Sequence, residues 1–439
     1  MRQSKLILFL FLVAGPSISH AQCPSLDSYQ SQVDQDWELT QLRLGEVFDR
    51  CLLSSEYFSL LGAAQLNTGR LAEAMESLER SLLLDPDNGA ALIDYAQALL
   101  QDGQLFAAIE LNKILLARQD APPELSEQLR QRQLYWTSLT RRTDWQLDIS
   151  GGFDDNLNGS PDSETVTLTL SGEPILLKLN ENYQATRGPF VNGRLLASHL
   201  RLSPEHQDNY SAQIRGRFSD DPSSDAVQLT GRFARALLDR GSPAQFDTGV
   251  THLLFGGESL FSGADFRYQH QLGSLMGCRT YLRGALQHQV WHQQRRLDGF
   301  ELKASAGTSC NLSTRVGQQL GLETSLLHNS ALEGNRLGGD RDGWQITAQW
   351  QLRIGGGVLS TQILHTSILD REGFSVLLEN NARRSISRTS ALMQYREPVS
   401  WLGGGAFFTA NLYHQGQRSN LDLFKTTDTS IEFGFSWEF

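Results

Sequence analysis

Four cysteines, ten histidines and a recurring set of arginines are the residues of this 439-residue chain with the most chemistry to offer. Cys23 and Cys51 lie early, Cys278 and Cys310 late, and none has the close spacing of a metal knuckle. Four cysteines allow three pairings; Cys23–Cys51 with Cys278–Cys310 keeps each bridge inside one half of the chain. The histidines are scattered. His288 and His292 are four apart, but on a strand that spacing is about 13 Å, too far to share an ion. No serine sits in a G-x-S-x-G frame and no Walker loop occurs. The expectation is therefore no catalytic set, no metal, no cofactor and no enzyme activity. No basic patch interleaved with aromatics appears, so nucleic acid is not an expected partner.

The elements that must position these residues are legible from hydrophobic period. The chain ends Ser-Ile-Glu-Phe-Gly-Phe-Ser-Trp-Glu-Phe. Ile431, Phe433, Phe435, Trp437 and Phe439 fall on one face of a strand, and the other face is polar. This is the pattern of a closing strand in an outer-membrane barrel, apolar outside and polar inside. It recurs. Fourteen period-two segments follow residue 144, near 145–153, 190–202, 209–219, 225–238, 245–256, 259–271, 277–292, 297–310, 314–328, 342–354, 356–369, 385–396, 404–415 and 428–439. In the clearest, Trp344, Ile346, Ala348, Trp350, Leu352 and Ile354 alternate with polar residues. Connections alternate too. Those near 203–208, 273–276, 355 and 397–403 are short; those near 154–189, 329–341, 370–384 and 416–427 are long. Short turns on the periplasmic side and longer outer loops fit a barrel whose first strand runs outward. Cys278 and Cys310 then fall at the same periplasmic rim, where a bridge staples one hairpin. The first long connection alternates at 165–170 and 175–179, so it forms an extra hairpin or enters the lumen.

The same alternation turns Arg194, Arg215, Arg217, Arg232, Arg267, Arg283, Arg353 and Arg388 inward, with Asp265, Glu301, Glu323, Glu432 and Glu438. An interior lattice of ion pairs is the preferred reading; an anion-selective pore is the other.

Residues 1–21 read as a signal peptide, with Arg2 and Lys5 ahead of an apolar run and Ser19-His20-Ala21 at the cleavage position. Residues 22–140 read as helical. A period of 34 places Phe58, Leu61, Gly62, Ala74, Leu78 and Pro86 at the signature positions of a tetratricopeptide repeat, with a second copy from Gly89 closed by Pro122 and Pro123. Segments 37–53 and 124–136 flank the pair. This half carries eighteen Asp/Glu against eight Lys/Arg, a balance of −10, whereas 141–439 has thirty-one against twenty-eight, −3. Glu73, Glu76 and Glu79 on the second helix of the first repeat are candidate docking residues that steer a basic partner; a solvated surface is the alternative. Repeats of this kind present a groove to a peptide or protein.

The expected fold class is α+β multidomain: a signal peptide (1–21), an α-helical tetratricopeptide-repeat domain in the periplasm (22–140), and a 14-stranded antiparallel transmembrane β-barrel (141–439). This organisation resembles the surface lipoprotein assembly modulator family. Gly151-Gly152-Phe153-Asp154-Asp155-Asn156-Leu157-Asn158 looks like the family's opening barrel strand. Tyr395-Arg396-Glu397-Pro398 is similar to its Tyr-x-x-Pro turn, and Arg418–Phe424 to the segment before the closing strand. Phe153 stands where the family has tyrosine. The resemblance implies delivery of lipoproteins, or of secreted haem- and metal-scavenging proteins, across the outer membrane. Its implied partners are that cargo, outer-membrane lipid, a periplasmic carrier and barrel-assembly machinery. An exopolysaccharide exporter and a porin-like channel are the competing readings.

Overall fold

The computed structural model describes residues 23–30, 36–238, 243–275, 277–313 and 317–439. The segment read as a signal peptide lies outside the described residues. The chain divides into two compact units between Leu139 and Thr140.

The first unit is helical: α1 (Asp27–Gln30), α2 (Trp37–Val47), α3 (Ser55–Asn67), α4 (Leu71–Leu84), α5 (Gly89–Gln101), α6 (Leu105–Leu116) and α7 (Pro123–Ser138). The period of 34 reappears as paired devices. Ser54 and Asn88 cap α3 and α5 by accepting from the amides of Tyr57 and Ala91, which satisfies donors that a helix start leaves open. Gly69 and Gly103 turn each chain into its second helix at φ +79° and +82°, a conformation glycine adopts without steric cost. Gly62 is small for a different reason. A Cβ there would sit 2.5 Å from Leu78 Cγ and 3.3 Å from the Ala74 carbonyl, so α3 and α4 touch through it. Ser55, Ser81 and Asn88 form a polar staple between the repeats: Ser81 Oγ donates to the Ser55 carbonyl at 2.7 Å and Asn88 Nδ2 to Ser55 Oγ at 2.9 Å. Pro122 and Pro123 do not close the second repeat. They open α7, because proline at the first helical position lacks only an amide that would be unpaired anyway.

The second unit is a closed antiparallel barrel of β1 (Arg141–Asp154), β4 (Gly188–Leu202), β5 (His206–Ser219), β6 (Ala226–Leu237), β7 (Ala244–Phe255), β8 (Glu258–Leu275), β9 (Cys278–Trp291), β10 (Gly299–Ser313), β11 (Gln318–Ala331), β12 (Arg341–Ile354), β13 (Gly357–Gly373), β14 (Arg383–Pro398), β15 (Ala406–Ser419) and β16 (Thr426–Glu438). β1 closes it by pairing with β4 on one side and β16 on the other, with Ile149 opposite Phe435. The remaining two strands, β2 (Thr165–Leu170) and β3 (Glu173–Lys178), form a separate hairpin in the first long connection.

Fourteen barrel strands are what the alternation predicts, but several extend past the alternating stretch. β13 continues to Gly373, β15 to Ser419 and β8 to Leu275. Backbone pairing continues beyond the apolar belt, where nothing requires the outward face to be apolar. Tyr395–Pro398 is not a turn. It is the end of β14, and the turn lies beyond it. Proline is tolerated at a strand end because its missing N–H costs no ladder bond there.

Candidate functional site

Side-chain bonds that skip a strand identify the inner face, because only a concave surface brings second neighbours together. Tyr281 on β9 donates to Glu323 on β11 at 2.9 Å. Arg232 on β6 reaches Asp265 on β8 at 2.9 Å. Asn192 on β4 donates to Glu432 on β16 across β1 at 2.5 Å, and Asn411 on the adjacent β15 donates to the other Glu432 oxygen at 2.5 Å.

This face carries the arginines singled out by alternation. Arg194 pairs with Asp148, and Arg217 with Asp154. Arg232 and Arg267 share Asp247 and Asp265. Arg283 binds Glu323 at 2.8 Å and Gln269 at 2.7 Å. Arg388 donates to Gln417 at 2.7 Å. Arg215 lines an interior cavity without an ion pair among the described residues, and Arg353 also lacks one. Glu438 pairs with Arg396 at 2.5 Å. The acidic partners Asp148, Asp154 and Asp247 escape a reading by residue type, since strand register decides which charges meet.

A second sector of the inner face is neutral. Gln319, Gln351, Ser360, Gln394 and Asn411 occupy one continuous pairing row across β11 to β15. Gln349 and Gln362 form the row beside it. Except for Asn411, which lines the neighbouring cavity, these residues line a cavity of about 530 Å³ together with Tyr281, Arg283 and Lys303 of β9 and β10. A neighbouring cavity of about 440 Å³ contains Asp148, Arg194, Arg215 and Glu432 and shares Leu392 and Gln394 with the first. Among the described residues, the Gln319, Gln349, Gln351, Gln362 and Gln394 amides have no partner in the chain. The interior thus combines charges held by one another with amides free to bond whatever enters.

The outer face is apolar with aromatic ends. Ile431 and Phe433 are exposed on it. Phe435 packs with Trp401, Phe408 and Trp437 at ring separations of 5.8–6.1 Å. Phe439 continues the seam by exchanging backbone hydrogen bonds with Trp145 at 2.7 and 3.0 Å. Near the same rim, Tyr210 lies 5.0 Å from Phe233 and Phe233 6.1 Å from Phe246. Such aromatic girdles flank the apolar band of membrane barrels.

Cys278 and Cys310 face each other in register and are bonded, as are Cys23 and Cys51. His288 stacks on Phe300 at 4.7 Å, while His292 and His252 are linked through Ser262 at 2.8 Å each. At the opposite end of the seam, Asp154, Asp155 and Asp428 bring carboxylate oxygens within 4.8 Å. Their partners there are structural. Asp154 holds Arg217 and the Asn156 amide, Asp155 accepts from the Thr429 amide, and Asn156 donates to the carbonyls of Ser160 and Thr427 at 2.9 Å. The Asp-Asp-Asn motif therefore ties the first strand to the last.

In the helical unit, Glu73, Glu76 and Glu79 are exposed on α4. Glu73 pairs with Arg70 at 3.4 Å, and Glu79 accepts from Tyr95 Oη at 2.6 Å. Burial, then this bond, push the Tyr95 phenol up to about 12. A feature not legible in the sequence joins α7 to α6 and, through a bond from Arg132 to the Ile93 carbonyl at 3.3 Å, to α5. Arg132 lies over the Trp136 ring at 4.7 Å and donates to Asn112 Oδ1 at 2.7 Å. Beside it, burial pushes the Asp94 carboxyl up to about 6, with Arg132 pulling the other way.

A tetratricopeptide-repeat family profile matches residues 66–131. No curated protein matches the chain. Among solved structures, the type III secretion chaperone SycD of Yersinia enterocolitica, in complex with a peptide of the translocator YopD, is 20% identical, covers 25% of this chain and 87% of its own, with a TM-score of 0.23. The TPR2B domain of yeast Sti1 with an Hsp70 peptide is 18% identical over 26% of this chain and 90% of its own, with a TM-score of 0.23. OccAB4 of Acinetobacter baumannii is 8% identical over 68% of this chain and 98% of its own, with a TM-score of 0.37.

Proposed function

We propose that this chain is an outer-membrane transport factor that delivers a lipoprotein or secreted protein to the cell surface, docking it or its carrier on periplasmic repeats and passing it through the barrel. The observation that carries the reading is the pairing, on one chain, of a tetratricopeptide-repeat unit with a closed fourteen-strand barrel whose interior displays unpartnered amides. A primary amide is chemically a peptide group, donating and accepting at once. A wall of them suits a polypeptide backbone of any sequence. The apolar, aromatic-ended outer face supports a membrane location. An acidic polysaccharide needs unneutralised cations, and most interior arginines are already engaged. Removing residues 22–140 tests the division of labour. Cells expressing the remaining barrel should hold it folded in the outer membrane yet fail to display an epitope-tagged exported protein from a neighbouring gene, measured by protease shaving. Normal display by the barrel alone would return the repeats to a spacer role.

A further inference from the structure

At the end of the barrel where β1 begins, one pairing row of the outward face is charged. Arg141, Arg201, Asp208 and Arg235 stand side by side on β1, β4, β5 and β6. They share the parity of Trp145 and Tyr210, opposite to that of the inward Asp148, Arg194, Arg215 and Arg232. Asp208 is buried, gives both its oxygens to Arg235 at 2.6 and 2.8 Å, and has His206 at 3.5 Å. Arg141 and Arg201 lie directly opposite each other and are exposed. Neither has an ion pair or side-chain hydrogen bond among the described residues, and Glu205 in the adjoining turn pairs with neither. Like charges facing each other across a ladder are destabilising. Three guanidinium groups thus share one carboxylate, and the two left without a partner lie together. Among the described residues, no other arginine or lysine has outward parity at this end of the barrel strands.

Toward the middle of the barrel the rows change character step by step. The next outward row holds His199, Tyr210 and Phe233, with Tyr210 5.0 Å from Phe233 and 6.5 Å from His199. The row after it holds Trp145, Ala197, Ala212 and Gly231. Its small side chains leave a trough, walled by Leu195 and Ile214, within a cavity of about 780 Å³. Cations, then aromatic rings, then an apolar trough follow the order of phosphate, ester and acyl chain in a phospholipid. Guanidinium groups match phosphate oxygens two at a time. Aromatic side chains sit at the interfaces of membrane barrels.

We propose that this face binds one anionic phospholipid of the adjoining leaflet, its phosphate between Arg141 and Arg201 and an acyl chain over Ala197, Ala212 and Gly231, a site that rests on the membrane location proposed above. A zwitterionic lipid carries its own ammonium and leaves the excess of cations standing, whereas an anionic lipid removes it. Water solvates the two arginines but not the trough. A free phosphate ion likewise leaves the trough empty. A phospholipid satisfies both at once.

The test is native mass spectrometry of the full chain in a neutral detergent, titrated with dioleoyl phosphatidylglycerol or dioleoyl phosphatidylcholine. One phosphatidylglycerol should bind well before a second, and phosphatidylcholine about tenfold more weakly, since each arginine beside anionic lipid is worth about fivefold. Arg141→Gln with Arg201→Gln should abolish that preference. Arg142→Gln with Arg279→Gln removes the same charge from inward positions at the same end and should keep it. Gly231→Leu fills the trough and should weaken phosphatidylglycerol binding with both arginines present. Heat-modifiable mobility checks that each variant is folded. Equal binding of the two lipids by wild type would overturn the proposal. So would undiminished binding after Arg141→Gln with Arg201→Gln, or the same loss after Arg142→Gln with Arg279→Gln. No effect of Gly231→Leu would reveal an anion site without a lipid, and would equally refute it. A wild-type chain that fails to insert into lipid vesicles would sink the membrane location and this site with it; insertion without a preference for phosphatidylglycerol would refute this site alone.

Discussion

Replacing Arg232 by methionine probes whether interior charges hold the barrel together. Arg232 gives 2.5 Å to Asp247 and 2.9 and 3.0 Å to the two oxygens of Asp265. Side-chain exposures are 25% for Arg232, 18% for Asp247 and 9% for Asp265. Gly249 leaves the space the guanidinium occupies, since a Cβ there would lie 2.9 Å from its Nη2. Methionine keeps the hydrophobic stem and removes all three bonds. Two carboxylates then share Arg267, 3.2 Å from one and 3.8 Å from the other. Breaking a buried pair costs roughly 3–5 kcal/mol. Water in the interior reaches these groups, so the lower end, about 3 kcal/mol, is expected. The penalty comes from the stranded carboxylates, so adding Asp247→Asn should recover on the order of half of it. Guanidinium unfolding in lipid vesicles, followed by tryptophan emission and heat-modifiable mobility, measures both. A loss under about 0.5 kcal/mol in the single variant would show the pairs to be hydrated and dispensable.

Gly62→Ala should destabilise the helical unit by about 1–2 kcal/mol, because overpacking against Leu78 outweighs the gain in helix propensity; urea unfolding at 222 nm reads it, and an unchanged midpoint would mean α3 and α4 do not touch there. Asp94 has its carboxyl pushed up to about 6, so its contribution favours folding at low pH and turns into a burden as pH rises from about 4 to 6. Asp94→Asn should therefore raise the unfolding free energy from urea melts at pH 7.5, by no more than about 2–3 kcal/mol, and leave it unchanged at pH 4; a gain at both would disconnect it from titration. Removing the Cys23–Cys51 bridge, whose partners are 28 residues apart, should cost roughly 3–4 kcal/mol on loop-closure grounds, visible as an earlier melt of the helical signal and absent from the barrel signal. Reversing Glu73, Glu76 and Glu79 to lysine should weaken cargo association in low salt and matter less as salt rises, since exposed charges are screened over about 8–10 Å; a salt-independent loss would point to misfolding.

The barrel is legible because each strand meets two different environments, and a period of two survives in residue types such as those from Trp344 to Ile354. The repeat is legible because helix contacts force small residues, and Gly62 shows the cause in its distance to Leu78. What does not show in the sequence depends on register. Nothing in the residue types tells Arg217 to meet Asp154 sixty-three positions away, or Asn192 to meet Glu432. Strand ends are equally obscure, because pairing outlasts the apolar belt in β13 and β15. The free amides escape notice for another reason. Gln349 and Gln351 read only as the polar half of a strand, and their lack of partners emerges once β11 to β15 stand side by side.

Passage through the barrel is most directly measured by crosslinking from inside it. A photoreactive residue at Gln351 or Gln394 faces the interior, and one at Trp350 or Met393 faces out, on the same strands and at the same height. In cells expressing the full chain with a tagged exported protein from the neighbouring gene, the two interior positions should give tagged adducts and the two outward ones none. Adducts from the outward positions alone, or from none while display continues, would contradict passage through the lumen.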